Sequence, residues 1–98
     1  MKRLIGAGAL ALLGLSGIAA SAQEMIKIVD VAELSGGGAT VGTNFKNGAD
    51  LAVDEVNAKG GILGHKIEIT HYDTQSNAGV ARSLVQKAID SEPYVILG

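Results

Sequence analysis

The stretch Asn57–Thr74, NAKGGILGHKIEITHYDT, decides how this chain folds. Gly60 suits the left-handed position just past a helix end, and Gly61 and Gly64 let the chain reverse within a few residues. The run that follows alternates apolar and polar residues, which is typical of a strand at a sheet edge or covered on one face. The stretch therefore predicts a helix that returns abruptly to a strand, and this strand delivers Asp73 to its carboxyl end.

Strand and helix patterns alternate on both sides of this stretch. Residues 25–33 are rich in Ile and Val and predict the first strand. A helical period begins at about Thr43, with Thr43 or Asn44 as a plausible N-cap. The apolar stripe of this first helix is Phe45, Ala49, Ala52, Val53 and Val56.

A second helix and a third strand follow the stretch. The helix begins near an Asn77 cap and stops before Pro93, and residues 94–98 form a fully apolar run that predicts a buried parallel strand. The apolar stripe of this helix is Val80, Ala81, Leu84, Val85, Ala88 and Ile89.

The pattern β-α-β-α-β predicts an α/β fold. Helical crossovers join parallel strands and are right-handed, so we expect a parallel sheet with helices on both faces and the strand order 2-1-3. Ligands of open α/β sheets bind at the carboxyl ends of the strands. The loops expected there are residues 34–42, which contain four glycines in nine positions, and residues 73–77.

The first 22 residues have the pattern of an export signal. A basic start at Lys2 and Arg3 precedes the apolar run of residues 4–18, and Ala20-Ser21-Ala22 is an A-x-A site. We therefore predict cleavage after Ala22 and a periplasmic location. The alternative is an uncleaved membrane anchor, but the run is barely long enough and its many Gly and Ala residues make it weakly hydrophobic.

Composition narrows the possible functions. The chain has 98 residues, of which 47% are hydrophobic and 18% charged, as in folding chains. It has no cysteine, which excludes disulfides, thiolate metal sites and a lipid anchor on an N-terminal cysteine. Cleavage after Ala22 would leave 76 residues with six basic and 10 acidic side chains, a net charge of −4. This acidic balance argues against nucleic-acid binding.

The residues from AELSGGGATVG to HYDTQSN carry a family resemblance. The most specific part is Asn57–Gly64, NAKGGILG, followed by a strand that ends at Asp73; LSG at Leu34–Gly36 and the Asn47-Gly48 pair agree with it. In these motifs the chain resembles the leucine/isoleucine/valine-binding family of ABC-transporter substrate-binding proteins, which have the type I periplasmic fold. The resemblance covers essentially all of residues 23–98.

The resemblance implies two α/β lobes that close around a small solute. It implies an amino acid, an amide or a small carboxylate as the solute, delivery to an ABC permease in the inner membrane, no cofactor, no enzymatic activity and a monomer when full length. Whole members have several hundred residues, so we expect residues 23–98 to be the first half of lobe 1. The expected ligand-binding residues are Ser35, Gly36, Val41, Gly42 and Asp73.

Two departures from the family pattern concern this site. Val41 stands where the family often has an aromatic side chain that packs on the ligand, so the pocket wall is expected to differ in shape. Glu33 stands where the family commonly has proline. Asp30 is unusual inside a first strand, and we expect it to reach solvent near the strand end or to act as a supporting group near the cleft.

Alternatives remain for several features. The glycine loop could bind an anion through backbone N–H groups at the start of the first helix, or be a plain surface loop. Asp73 could face the cleft or cap the second helix through a turn. His65 and His71 are expected to be ordinary, partly exposed histidines, because no third metal ligand is evident.

Two other functions compete with transport. The same fold could be the ligand-binding domain of an extracytoplasmic sensor. Gly36, Gly38 and Gly42 also loosely resemble a dinucleotide-binding fingerprint of an enzyme, but the spacing G-x-G-x-x-x-G is wrong for it.

Overall fold

The computed structural model describes residues 24–98. The predicted export signal and its cleavage site therefore lie outside the described residues. The elements follow in the predicted order, which confirms the β-α-β-α-β pattern. They are β1 (Ile26–Ala32), α1 (Ala39–Ala58), β2 (Ile67–Asp73), α2 (Ala78–Asp90) and β3 (Val95–Leu97).

The three strands form one parallel sheet in the order β2-β1-β3, as predicted. The register between β1 and β2 is unbroken over seven residue pairs and places Asp30 opposite His71. On its other side, Asp30 lies opposite Leu97 of β3. Asp30 is therefore at the centre of the sheet, with a strand on each side.

The two helices cover opposite faces of the sheet. Val29 and Val31 pack with Ala88 of α2, and these three residues form the buried core cluster on this face. Because neighbouring strand residues point to opposite faces, Asp30 must point away from α2. Asp30 contacts His71, and His71 contacts Asp50 of α1, so α1 lies on the second face. Tyr72, Leu84 and Ile96 pack around the core on the α2 side.

The turn between α1 and β2 has the predicted glycine conformations. Gly60, Gly61 and Gly64 all have positive φ, and a Cβ at Gly61 would lie 2.1 Å from the carbonyl oxygen of His65. Asn57 adds a contact that the sequence did not predict. Its side-chain amide accepts a hydrogen bond from the N–H of Ile67 (2.7 Å) and donates one to the carbonyl of Ile67 (2.8 Å). This pair fixes the end of α1 to the start of β2.

Helix α1 begins four residues earlier than predicted, and its N-cap is Gly38, so neither Thr43 nor Asn44 is the cap. The reason is close packing at Gly42. A Cβ there would lie 1.8 Å from the carbonyl oxygen of Glu33, so only glycine lets the first turn of α1 lie against the end of β1. The predicted glycine loop is correspondingly shorter.

Two expectations about burial are wrong. Of the two positions expected for Asp30, the one in solvent is wrong, because its side chain lies between the sheet and α1 and is 0% exposed. Residues 95–97 are not fully buried, since β3 has a neighbouring strand on one side only among residues 24–98, and Val95 is 41% exposed. Within the same residues, no helix combines the length and the hydrophobicity that crossing a membrane requires.

Candidate functional site

The carboxyl ends of β1 and β2 carry two loops, residues 33–38 and 74–77, that are tied together by Asp73. One carboxylate oxygen of Asp73 accepts hydrogen bonds from the N–H groups of Leu34 (2.9 Å), Ser35 (3.1 Å) and Gln75 (2.8 Å). The other accepts from the Ser35 hydroxyl at 2.6 Å. The Ser35 hydroxyl, and after it the Gln75 amide, lower the pKa of Asp73 below its ordinary value.

Ser76 makes a second link between the same loops. Its hydroxyl donates to the carbonyl of Ser35 (2.8 Å) and accepts from the N–H of Gly38 (2.9 Å). A Cβ at Gly36, where φ is +82°, would lie 2.9 Å from both the Ser76 hydroxyl and the Gln75 carbonyl oxygen. The glycine loop is thus held on one side by the second loop. We call the hydrogen bonds that Asp73 and Ser76 make between the two loops the loop clamp.

An open cleft of about 840 Å³ lies beside the clamped loops. Val41 and Gly42 of α1 line this cleft, so the structure brings two of the predicted site residues to its wall. The other three, Ser35, Gly36 and Asp73, lie together in or beside the loop clamp. They are not among the residues that line the cleft. The remaining lining residues are Asp30, Val31, Ala32, Glu33, Gly38, Phe45, Thr74, Ser76, Asn77, Ala78, Ala81, Val85, Ile96, Leu97 and Gly98.

The loop clamp also uses N–H groups that the glycine loop was predicted to offer to an anion. The N–H groups of Leu34, Ser35 and Gly38 already have acceptors in Asp73 and Ser76. They are therefore occupied in this conformation. Asp73 forms the turn, and Asn77 caps α2 by accepting from the N–H of Val80 at 3.0 Å. The Asn77 cap was predicted and is confirmed.

The charged residues among the cleft lining, Asp30 and Glu33, are both acidic. Glu33 is exposed, and its carboxylate lies against Gly38, where a Cβ would clash with it. The apolar part of the wall includes Val41, which is 76% exposed, and Phe45, which is 48% exposed. The cleft thus offers an apolar surface with an exposed negative charge at Glu33, whereas Asp30 is buried.

A chain of four titratable side chains, Asp30, His71, Asp50 and Lys46, runs from the cleft lining to α1, and we call it the His71 network. The ring nitrogens of His71 lie 2.7 Å from Asp30 Oδ2 and 2.6 Å from Asp50 Oδ1. Asp50 Oδ2 accepts from Lys46 Nζ at 2.9 Å, one helical turn away. The hydrogen bonds from Lys46 and then from His71 lower the pKa of Asp50.

The His71 network corrects one prediction and was missed by the sequence reasoning. The side chain of His71 is 11% exposed and joins two carboxylates, so it is not an ordinary, partly exposed histidine. His65 precedes β2, and its ring nitrogen lies 2.7 Å from the carbonyl oxygen of Glu24. Among residues 24–98, no three His, Asp or Glu side chains are arranged to hold a metal ion. The parallel pairing of β1 with β2 could have revealed the His71 network from the sequence, because its register places Asp30 opposite His71.

Comparison with known proteins gives the family. The periplasmic binding protein family model matches residues 25–98. The chain belongs to this family. The α/β fold with strand order 2-1-3 is the fold expected from the resemblance, and the structure and its neighbours confirm it.

The curated relatives of this periplasmic binding protein are solute-binding proteins by name. It is 39% identical to the Leu/Ile/Val-binding protein of Escherichia coli K12 over 74 residues, which are 74% of this chain and 20% of the relative. It is 34% identical to Leu/Ile/Val-binding protein homolog 4 of Brucella abortus over 98 residues, which are 99% of this chain and 24% of the relative. The chain thus spans about a fifth to a quarter of these relatives.

The solved structures agree on the fold and differ in the solute they name. A branched-chain amino acid transporter substrate-binding protein from Streptococcus pneumoniae, solved in complex with isoleucine, has a TM-score of 0.73 and 40% identity. The match covers 76% of this chain and 22% of that one. A fatty acid ABC transporter substrate-binding protein from Thermomonospora curvata has a TM-score of 0.63 and 28% identity, covering 65% of this chain and 16% of that one.

Proposed function

We propose that this chain is the amino-terminal part of the periplasmic solute-binding component of an ABC importer. It binds a branched-chain or other amino acid, or a related amide or small carboxylate, and delivers it to a membrane permease without chemical change. The observation that carries the proposal is the 40% identity to a relative that was solved with isoleucine. The protein is exported, is cleaved after Ala22 and acts as a monomer.

The geometry of the cleft supports an amino acid as the solute. An apolar wall that includes Val41 and Phe45 suits an aliphatic side chain, because burying apolar surface drives binding. Glu33, an exposed acidic residue of the cleft lining, favours a solute that also carries a positive group, such as an α-ammonium. A fatty acid, which the Thermomonospora curvata relative is named for, has no such group.

The five predicted site residues have two roles in this proposal. Val41 and Gly42 form the wall of the cleft and contact the solute. Ser35, Gly36 and Asp73 belong to the loop clamp and its packing, and they hold the glycine loop in the shape that the wall requires. The solute contacts of the clamp are expected to be indirect, because the Asp73 carboxylate already accepts four hydrogen bonds.

Thermal unfolding of the protein expressed from its whole natural reading frame tests the proposal. The panel is the 20 amino acids, their amides, short carboxylates and a fatty acid. A solute present at about 100 times its Kd stabilises the folded state by about 2.7 kcal/mol. We expect an aliphatic amino acid to raise the Tm most. The proposal fails if no member of the panel raises the Tm.

A matched pair of variants locates the binding surface. Val41→Glu places a carboxylate in the cleft wall, and we expect it to raise the Kd by about tenfold or more, because a charge buried against an apolar solute is unfavourable. Leu63→Glu introduces the same group at a residue that is 92% exposed and outside the cleft lining, so it should leave the Kd unchanged. Equal effects of the two changes would show that the cleft is not the site.

A further inference from the structure

The two contacts that join His71 to Asp30 and Asp50 require two protons, one for each hydrogen bond. Both ring nitrogens of His71 lie at hydrogen-bond distance from a carboxylate oxygen, one of Asp30 and one of Asp50. A neutral imidazole has one N–H and one lone pair, so it can donate to only one of these oxygens. The arrangement is satisfied when His71 is an imidazolium that donates to both carboxylates, and Lys46 then balances the second negative charge.

Within residues 24–98, the side chain of Asp30 depends on this arrangement for its only hydrogen bond. Its side chain is 0% exposed, and its Oδ1 atom is buried without a hydrogen-bond partner in the described part of the chain. Among residues 24–98, the only side chain bonded to it is therefore His71, through Oδ2 at 2.7 Å. A buried carboxylate without a positive partner is strongly unfavourable. Loss of the imidazolium proton must therefore disturb either the Asp30 or the Asp50 end of the network.

The network joins the cleft floor to the helix that forms the cleft wall. Asp30 is among the residues that line the cleft, and Asp50 lies on α1 two turns after Gly42. The first turn of α1 has no side-chain cap within residues 24–98, and Val41, Gly42 and Phe45 of this helix line the cleft, with Gly42 buried and Val41 and Phe45 exposed. The hold that His71 has on Asp50 therefore helps to set how closely this wall lies against the sheet.

We propose that His71 is a positioning residue for solute binding: as an imidazolium it holds α1 against β1, and when it loses its proton the cleft binds its solute less tightly. This inference rests on the proposed solute-binding function. It makes solute capture a process coupled to proton binding, with higher affinity at lower pH.

The charged groups around His71 are few enough to name. Asp30 faces it from β1, and Asp50 and Lys46 face it from α1. On its own strand the next residue of the same face is Asp73, whose carboxylate is held in the loop clamp. Helix α2 packs on the opposite face of the sheet.

The experiment measures the Kd and the protonation of His71 on the same protein. The protein is expressed from its whole natural reading frame, and the Kd is determined calorimetrically between about pH 5.5 and 8.0, the range around the ordinary histidine pKa. The probe is isoleucine. If another panel member binds more tightly and has no group that titrates in that pH range, that compound is used instead. The ring signals of His71 are followed by NMR, with and without probe, and are assigned by their loss in His71→Gln.

We expect the Kd to rise by about fivefold or more from the lowest to the highest pH, which is the lower end of usual coupling between two sites. Because coupling is reciprocal, saturating probe should raise the midpoint of the His71 titration by about 0.7 pH units for a fivefold effect. A residue that only stabilises the fold would not show this shift. His71→Gln should bind with a Kd that does not vary with pH.

Two further variants keep the test decisive. Asp54→Asn changes an exposed carboxylate on the same helix and outside the network, and it should keep the wild-type pH profile. Asp50→Asn removes one negative charge beside His71 while keeping an acceptor, and it should move the Kd profile to lower pH even if His71→Gln does not fold. An unchanged profile in Asp50→Asn, or a probe that binds with the same Kd at every pH, overturns the coupling and leaves the proposed function standing. If no panel member binds at any pH, the proposed function fails and the coupling fails with it.

Discussion

Replacing Gly42 by alanine tests the closest contact in the fold. The added Cβ would lie 1.8 Å from the carbonyl oxygen of Glu33, about 1.6 Å short of the 3.4 Å at which ordinary contact begins. The obstacle is backbone at the end of β1, so no side chain can turn aside to make room. The first turn of α1 must therefore move away from the sheet by more than an ångström, which also opens the cleft wall at Val41.

The magnitude follows from two opposing effects. Overpacking of this kind destabilises by about 1–3 kcal/mol, and the rigid obstacle places Gly42→Ala at or above the upper end. Alanine returns up to about 1 kcal/mol, because it favours the helix over glycine. The net expectation is a loss of about 2 kcal/mol in the free energy of unfolding and a higher Kd for the solute.

Gly48→Ala is the matched control. Gly48 is on the same helix, and a Cβ there meets no atom within 4 Å, so only the gain in helix propensity of about 0.5–1 kcal/mol remains. Urea unfolding followed by circular dichroism compares the two variants with the wild type. The predicted difference between the variants is about 3 kcal/mol. If Gly42→Ala is as stable as Gly48→Ala, the close packing of α1 on β1 is refuted.

Three further predictions concern single side chains. Asn77→Ala should destabilise by about 1 kcal/mol, because it removes the α2 cap, whereas Asn47→Ala, at an exposed position inside α1, should be neutral or stabilising; equal urea midpoints would contradict this. The pKa of Asp73 is lower in the folded chain than in the unfolded chain, so the unfolded chain takes up this proton first on acidification. The contribution of Asp73 to stability is therefore complete above the ordinary aspartate pKa and is lost as the pH falls through the pKa of the folded state. Urea unfolding between about pH 3 and 7 should show a smaller acid loss in Asp73→Asn, and identical slopes would exclude the clamp. His71→Ala leaves Asp30 buried without its partner and should cost about 3–5 kcal/mol at neutral pH, and a loss below about 1 kcal/mol would show that the pair is not formed.

Periodicity and glycine placement were enough to predict the fold. Because the residues after Gly64 alternate and those of the helices recur at helical spacing, the element order followed directly, and right-handed crossovers then limited the strand order. The helix start at Ala39 could not be read in the same way. It depends on the contact between Gly42 and the Glu33 carbonyl, which exists only once α1 and β1 have been placed together.

The candidate site was predictable in position and less so in detail. The rule that ligands bind at the carboxyl ends of parallel strands predicted a site at the loops of residues 34–42 and 73–77, and the family resemblance added Val41 and Gly42. The roles of Ser76 and His71 depend on tertiary contacts with residues that are 38 to 41 positions away in the sequence. The general preference of charged residues for solvent gave the wrong expectation for Asp30, because it takes no account of a partner on the neighbouring strand.

The loop clamp has a consequence for redesigning solute specificity. A loop taken from a relative and grafted alone at residues 33–38 would meet Asp73 and Ser76 of this chain instead of the residues that fix its shape in the relative. Specificity in this lobe is therefore a property of two segments that lie far apart in the gene, and a library that diversifies them together will contain more functional binders than one that varies either alone.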